Sequence, residues 1–370
     1  MKTGVVLDRR YMDHDMGAWH VESPARVEVL LRMLDEDPPA ALRRIAPRPA
    51  TDDELAAVHE RGYIDLVRST AGKTVAMDAD TVAGPLTFET ALLAAGGFLE
   101  SLDRVMDGTV RNAFALVRPP GHHAEASRAM GFCFFNNAAI GAEHLVRKHG
   151  LERVLVVDWD LHHGNGTEQA FYGRRDVLYF STHQSPLYPG TGAARFFGRG
   201  DGFGYNLNVP LLAGKGDDDF ALILDRVLGP VAARYEPQFV VASVGFDIAA
   251  GDPLGGMAVT TAGFGRLAAS LMAMAERTAG GRLALVLEGG YGLEALREGV
   301  RACLATLAGA GGLEAREVGP APAPPSRCRR AGGQPRWSAR SRPRRRRRCC
   351  SPIRGSRAPD GGPPSREAGR

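Results

Sequence analysis

Residues 154–168 read VLVVDWDLHHGNGTE. The apolar opening, 154–157, has the β-branched composition of a strand buried on both faces. It runs without a break into Asp158, Asp160, His162, His163 and Asn165. Ionised carboxylates and imidazoles are costly to bury alone. A cluster this dense at the end of a hydrophobic strand needs a compensating charge, and a metal ion supplies one. In an extended segment, residues two apart face the same way. Asp158, Asp160 and His162 are therefore expected on one side and His163 on the other.

Working outward, four more apolar runs read as buried strands: 112–118, 176–181, 238–244 and 283–288. Helical periodicity marks 87–107, 136–148, 219–235, 261–279 and a closing stretch at 293–309. Strand and helix alternate, which predicts an α/β fold with a parallel sheet. No internal repeat is present.

Each strand run ends in polar residues of a specific kind. His122 and His123 follow the first; THQSPLYPGTG follows 176–181; Asp247 follows 238–244; Tyr291 follows 283–288 in a Gly-Gly-Tyr-Gly loop. In open parallel sheets, ligands bind beyond the carboxyl ends of the strands. A lone His or Asp at a strand end is more often a loop hydrogen-bonder. Five strands delivering such groups to one edge make a site. Asp and His suit zinc and similar divalent ions, and two ligands from one strand end plus a third from a neighbour leave a catalytic position open. Asp247 is the best third ligand. The tandem histidines suit proton transfer near neutral pH, and Tyr291 can offer a phenolic donor to a developing oxyanion.

The 370 residues carry a formal net charge of +4, but that charge is divided. Residues 321–370 hold fifteen arginines and two acids, leaving 31 basic and 40 acidic residues in 1–320. A catalytic body is expected over 1–310 and an Arg/Pro-rich tail over 311–370, whose composition predicts disorder. The tail could bind nucleic acid or acidic partners non-specifically, or be a frame-shifted end, and no function is assigned to it. Only Cys133 and Cys303 lie in the body. That is no disulfide framework and suggests a cytoplasmic protein. Neither a secretion signal nor a membrane span is read. Composition leaves the oligomeric state open.

RPPGHHA, GFCFFNNAAI, VDWDLHHGNGTE, HQSPLYPGTG, GFDIAAGDPLGG and LEGGYGLE, in that order, resemble the motifs of the zinc-dependent histone deacetylase family. That family includes acetoin-utilisation proteins and acetylpolyamine amidohydrolases. HVESPAR at 20–26 resembles its His-Pro-Glu-x-Pro-x-Arg segment, with Val21 in place of the first proline. DWDLHHGN and Glu288 resemble the class II and bacterial branch. The resemblance runs from about residue 3 to 309.

It implies an arginase–deacetylase fold, a single parallel sheet of about eight strands flanked by helices. It implies Zn2+ held by Asp160, His162 and Asp247, and His122 and His123 as a proton-transferring pair, with Asp158 orienting the first and Asn165 beside the second. Tyr291 would bond the substrate carbonyl. Phe132 and Tyr188 would wall an acyl-lysine tunnel, with the Gly131 carbonyl accepting from the substrate amide. Arg26 and Cys133 match positions near an internal acetate pocket. A potassium ion would bind Asp158, Asp160, His162, Ser181 and Thr182, and a second could use backbone oxygens around Phe171, Arg174 and Val177.

Two departures bear on function. Asn165 replaces the aspartate of class I members and should lower the pKa of His123 relative to a carboxylate-paired histidine. Leu254 stands where polyamine-selective members carry an acid, which favours acyl-lysine in proteins or related small amides over acetylpolyamines. The expected activity is hydrolytic removal of acetyl or other short acyl groups, releasing acetate. The alternatives are an acetylpolyamine amidohydrolase, a non-catalytic acyl-lysine-binding module and, lower, a dimanganese ureohydrolase.

Overall fold

A computed structural model describes residues 2–39 and 41–309. The disorder expected over 311–370 lies outside the described residues, as do Cys328, Cys349 and Cys350. Ten strands follow in chain order: β1 (Thr3–Val6), β2 (Leu42–Arg44), β3 (Val75–Ala76), β4 (Val82–Ala83), β5 (Asn112–Ala115), β6 (Val154–Asp158), β7 (Val177–Gln184), β8 (Asn206–Leu211), β9 (Phe239–Val244) and β10 (Leu283–Leu287). Eight of them form one sheet in the order β2-β1-β5-β10-β9-β6-β7-β8, with every neighbouring pair parallel. β3 and β4 form a separate antiparallel pair.

The five strands expected from sequence are β5, β10, β9, β6 and β7, the contiguous middle of the sheet. All are buried nearly throughout, because helices cover both faces and the sequence has to be apolar at every position. The sequence reading missed β1, β2 and β8. β2 is three residues long and largely exposed, and β8 alternates, as strands toward the rim of a sheet do. β1 is buried but only four residues long, too short to stand out.

The helices are α1 (Ala25–Glu36), α2 (Asp52–Leu55), α3 (Arg61–Arg68), α4 (Thr87–Met106), α5 (Asn137–Arg147), α6 (Asn165–Phe171), α7 (Asp217–Ile223), α8 (Gly229–Tyr235), α9 (Thr261–Thr278) and α10 (Leu293–Leu307). The helix expected over 219–235 is α7 and α8 joined by a π-turn, Leu224–Leu228. Pro230 lacks a backbone N–H and crowds the preceding turn, and the wider turn accommodates it. α5 begins where Asn136 Oδ1 accepts the Ala139 N–H at 2.9 Å, an N-cap. That cap fixes the helix directly behind the tandem histidines, since Asn136 Nδ2 also donates to the His122 carbonyl at 3.4 Å. Among the described residues no helix is long and apolar enough to cross a membrane.

Candidate active site

β6 ends at Asp158, and the chain then bends across the carboxyl edge of the sheet before α6 begins at Asn165. The side chains still divide as the sequence predicts: Asp158 and Asp160 both face His122, at 3.0 and 3.6 Å, and His162 faces Asp160. Asp158 turns toward the tandem histidines, its Oδ2 accepting from His122 Nδ1 at 3.0 Å and from the Tyr179 hydroxyl at 2.9 Å. His163 turns away, to Thr191 Oγ1 at 2.7 Å and Glu168 at 3.2 Å. The bend is tight against its neighbours. A Cβ on Gly164 would lie 2.3 Å from Asp158 Oδ2 and 3.0 Å from His122 Nδ1.

Asp160, His162 and Asp247 converge as the sequence predicts, each offering an N or O atom within 4.8 Å of the others. All three are buried. Asp160 Oδ1 accepts the His162 N–H at 2.8 Å and lies 3.1 Å from His162 Nδ1, while Oδ2 accepts the Gly289 N–H at 2.8 Å. Asp247 Oδ1 accepts the Leu161 N–H at 3.0 Å. Its Oδ2 lies 3.3 Å from His162 Nδ1 but makes no hydrogen bond, the only buried carboxylate oxygen among the described residues so left. Glycine backbone presses on this group from two strands. A Cβ on Gly245 or Gly289 would sit 2.2 Å from Asp160 Oδ2 or Asp247 Oδ2 respectively.

The trio could hold a cation. Burial and the adjacent Asp160 charge push the Asp247 carboxyl up to about 7, despite His162 beside it. The two carboxylates in turn outweigh the burial of His162 and raise its imidazole to about 9. Two carboxylates and an imidazole are donors that a divalent ion with oxygen and nitrogen preference accepts.

The tandem histidines have opposite environments. Burial opposes charge on His122, but Asp160 and Asp158 outweigh it and raise the imidazole to about 10. Asp160 acts through its charge, and Asp158 through its charge and a hydrogen bond. His123 is held well below the usual histidine range by burial and by the neighbouring His122 and His162. Its Nδ1 is 2.8 Å from Asn165 Oδ1, a bond that works in the opposite direction. The lowering from the ordinary histidine value comes from desolvation and like charge, and the bond to neutral Asn165 offsets only part of it. Asn165 is itself oriented, its Nδ2 donating to Glu125 Oε1 at 2.8 Å.

These groups open on a narrow cavity of about 130 Å³ lined by His122, His123, His162, Phe132, Tyr188 and Tyr291, with Gly131, Pro120, Gly289 and Asp80 completing the wall. Gly131 and Phe132 both take the left-handed conformation, φ 56° and 69°, unfavourable for a phenylalanine. The strained turn lays backbone against His123, and a Cβ on Gly131 would lie 2.3 Å from that ring. The Gly131 carbonyl accepts the Cys133 thiol at 3.3 Å. Behind Tyr291 lies Arg26, its guanidinium 5.0 Å from the ring centroid. Arg26 donates to the Gly290 and Glu288 carbonyls at 2.8 and 2.5 Å and to Glu22 at 3.0 Å. Arg118 also grips Glu22. Burial, with Asp247 and Asp160, drives the Tyr291 phenol well above its ordinary value, so it remains a proton donor.

Some expected residues are placed elsewhere. Leu254 does not line the cavity: its N–H bonds Asp252 Oδ1 at 3.0 Å and its side chain packs on the core. Of the potassium residues, Ser181 Oγ pairs with His183 Nδ1 at 2.9 Å and Thr182 Oγ1 is buried without a partner. The Phe171 carbonyl accepts the Arg174 N–H at 2.9 Å, just before Val177 opens β7. A wider depression of about 1060 Å³, around Arg153, Tyr205 and Tyr235 at the opposite edge of the sheet, holds none of these groups.

The sequence reading missed Asp80, Tyr179, Glu125 and Asp252, which receives the Tyr291 and Gly292 N–H groups at 2.8 and 2.9 Å. It also missed the role of Glu288, whose carboxylate accepts from Gly121 N at 2.6 Å, His122 N at 3.1 Å and Ser243 Oγ at 2.5 Å. Glu288 follows β10 directly and Asp252 lies in the loop after β9, each beside a glycine, a signal that could have found them. Asp80 and Glu125 sit in loops without such a mark.

Comparison with known proteins agrees with this geometry. A family model described as "Histone deacetylase domain" matches residues 20–307. The chain is 39% identical over 297 residues to a protein of Archaeoglobus fulgidus named "Probable deacetylase", covering 80% of this chain and 82% of that one. It is 42% identical over 279 residues to the "Histone deacetylase-like amidohydrolase" of Pseudomonas aeruginosa, covering 74% and 73%. The crystal structure of the HDA15 HD domain superposes with a TM-score of 0.79 at 38% identity, covering 83% of this chain and 88% of that one.

Proposed function

The chain belongs to the histone deacetylase family, and from that premise we propose that it hydrolyses the amide of acetylated lysine side chains or related small acetylated amines, releasing acetate. The observation that carries this reading is the convergence of Asp160, His162 and Asp247, with the unpartnered Asp247 Oδ2, beside a histidine pair and Tyr291 on one narrow cavity. Zn2+ fits the donor set, and Asp160, His162 and Asp247 would hold it. When bound it would polarise the substrate carbonyl and lower the pKa of water.

The chain's own residues supply the rest. Phe132 and Tyr188 exclude water from the aliphatic arm of the substrate and guide it to the histidines. His123, kept neutral, accepts a proton as the water oxygen adds to the carbonyl carbon. Tyr291 donates to the oxyanion that develops. The C–N bond then breaks, and the proton held at His123 passes to the departing nitrogen, giving a free amine and acetate. His122, whose Nδ1 donates to Asp158 Oδ2, stabilises developing negative charge without moving its proton. Two neighbouring titratable groups whose environments push them apart divide the roles in this way. The same reading places a potassium ion beneath Asp158, Asp160 and His162, as an expectation from the family.

A second reading, an acetylated polyamine as substrate, is favoured by Asp80 on the cavity wall. Asp78 lies close enough to help raise its pKa, after burial. Two acids there suit a second amine on the substrate, and they offset the absence of an acid at Leu254. Turnover of an acetyl-lysine peptide and of acetylputrescine, each with and without a chelator, tests both. Hydrolysis of either that stops on chelation and in Asp247→Ala is expected. Activity surviving both treatments would refute the metal assignment.

A further inference from the structure

The reaction makes no use of the far ends of α4 and α5, yet a donor cluster is assembled there. Asp103, in the last turn of α4, is met by three basic side chains. Its Oδ1 lies 2.9 Å from His144 Nε2 and 2.7 Å from His149 Nε2, and its Oδ2 accepts from Lys148 Nζ at 2.8 Å. His144 is in the last turn of α5, and His149 lies just beyond it. The two rings meet edge to face, with centroids 5.5 Å apart. Both helices end just before a strand begins, β5 after α4 and β6 after α5. This is the edge of the sheet opposite the cavity. Two helix C-termini converge here, and each carries the negative end of its macrodipole.

We propose that Asp103, His144 and His149 form a second metal site, for a divalent transition ion such as zinc, which clamps α4 to α5. One N or O atom of each lies within 4.8 Å of the others. Two imidazoles and a carboxylate are the donor types zinc, cobalt and nickel accept. Tetrahedral zinc with bonds of about 2.0–2.1 Å separates its ligands by roughly 3.3 Å. Each Nε2–Oδ1 contact therefore opens by about half an ångström on binding. Each neutral imidazole presents its Nε2 lone pair, the ring proton moving to Nδ1. Burial would raise the Asp103 pKa, but its basic neighbours reverse this and hold it well below the usual range, so the ligand is ionised. His149 and Asp103 are partly exposed, which leaves the remaining coordination position to water. Lys148 is the competitor: its ammonium neutralises the same carboxylate, but it is half-exposed and free to swing out.

Bound zinc in the full chain, dialysed against buffered low-micromolar free zinc, provides the test. His149→Gln is expected to hold one zinc fewer than the wild type, with deacetylation within about two-fold. Lys148→Ala is expected to bind that ion several-fold tighter, which a merely hydrogen-bonding role for Asp103 would not produce. In an Asp247→Ala background, zinc should still raise the unfolding temperature, and adding His149→Gln should abolish the rise. Equal zinc content in wild type and His149→Gln, or Lys148→Ala affinity unchanged or weaker, overturns the proposal. So does a thermal shift that persists in the double variant.

Discussion

Tyr291 is the residue on which catalysis and mere binding part company. It touches no metal-ligand carboxylate by hydrogen bond, and its phenol is kept protonated on the cavity wall. Tyr291→Phe removes one oxyanion donor and is expected to lower kcat on the order of 10²–10³-fold, with KM nearly unchanged in steady-state assays on an acetyl-lysine peptide. A variant that keeps more than a tenth of wild-type turnover, about 1.4 kcal/mol of barrier, would mean that the phenol is not that donor. Glu125 acts one step further out. Glu125→Met removes the shortest of the three bonds that Asn165 Nδ2 donates, leaving the His123 carbonyl and the Met130 sulfur at 3.5 and 3.4 Å, and so loosens the hold on Oδ1 beside His123. We expect kcat to fall about three- to ten-fold with KM unchanged, in line with the loss of one net hydrogen bond. Equal falls in both constants would point to a collapsed cavity instead.

Elements hold these residues through buried polar contacts, and those contacts respond to pH and to deletion. His59 follows α2 and joins two loops of the site. Its Nδ1 donates to the Glu125 carbonyl at 3.0 Å, and its Nε2 accepts the Asn136 N–H at 2.9 Å. Burial lowers its pKa to about 4, below the unfolded value of about 6.5. The unfolded chain therefore binds more protons between those values. The stabilisation is whole above about pH 6.5 and is lost as pH falls toward 4, on the order of 3 kcal/mol in all. Urea unfolding at pH 7 and pH 5 should show the loss, and His59→Gln should flatten the slope by up to one proton. An unchanged slope in that variant counts against the assignment. Glu288, at the end of β10, binds two backbone N–H groups of the loop after β5 and the hydroxyl of β9. Glu288→Ala strands three buried donors and should cost about 3 kcal/mol or more, read as a shift in the denaturation midpoint. A shift below about 1 kcal/mol would mean that water replaces the carboxylate without difficulty.

For the whole molecule, the gathered carboxylates make stability depend on the ion. Asp160 and Asp247 are fully buried and repel each other. An ion bound only by the folded chain adds about 2.7 kcal/mol at a hundred times its dissociation constant. Zinc-loaded protein should thus melt several degrees above chelated protein, and the chelated form should be inactive and recover on adding zinc. To separate the two proposed ions, the comparison is made in His149→Gln. No difference in melting there would leave Asp160, His162 and Asp247 without a metal to hold. The central sheet bears the load: five contiguous strands bring every group of the site to one edge, so a defect in any of them reaches the cavity.

The sequence by itself determined the centre of the fold and the chemistry of the site. Strands covered on both faces must be apolar throughout, which made β5, β6, β7, β9 and β10 legible, and the polar residues at their ends stood out against that background. The strands beyond this centre left no such trace: β2 and β8 are partly exposed and β1 is short. Tertiary structure alone decided which atoms meet. The fold set His122, from the loop after β5, against Asp158 and Asp160 together, and Tyr179, from β7, against Asp158. The low pKa of His123 followed from burial and neighbouring imidazoles, which no local pattern records. Leu254 was left partly buried against the core, and Asp80 and Glu125 were brought from loops to the cavity and to Asn165. Asp103, His144 and His149 are separated in the chain and were joined only when two helix ends came together. Apolar periodicity reports burial along one element, whereas contacts between elements depend on directions that sequence spacing does not carry.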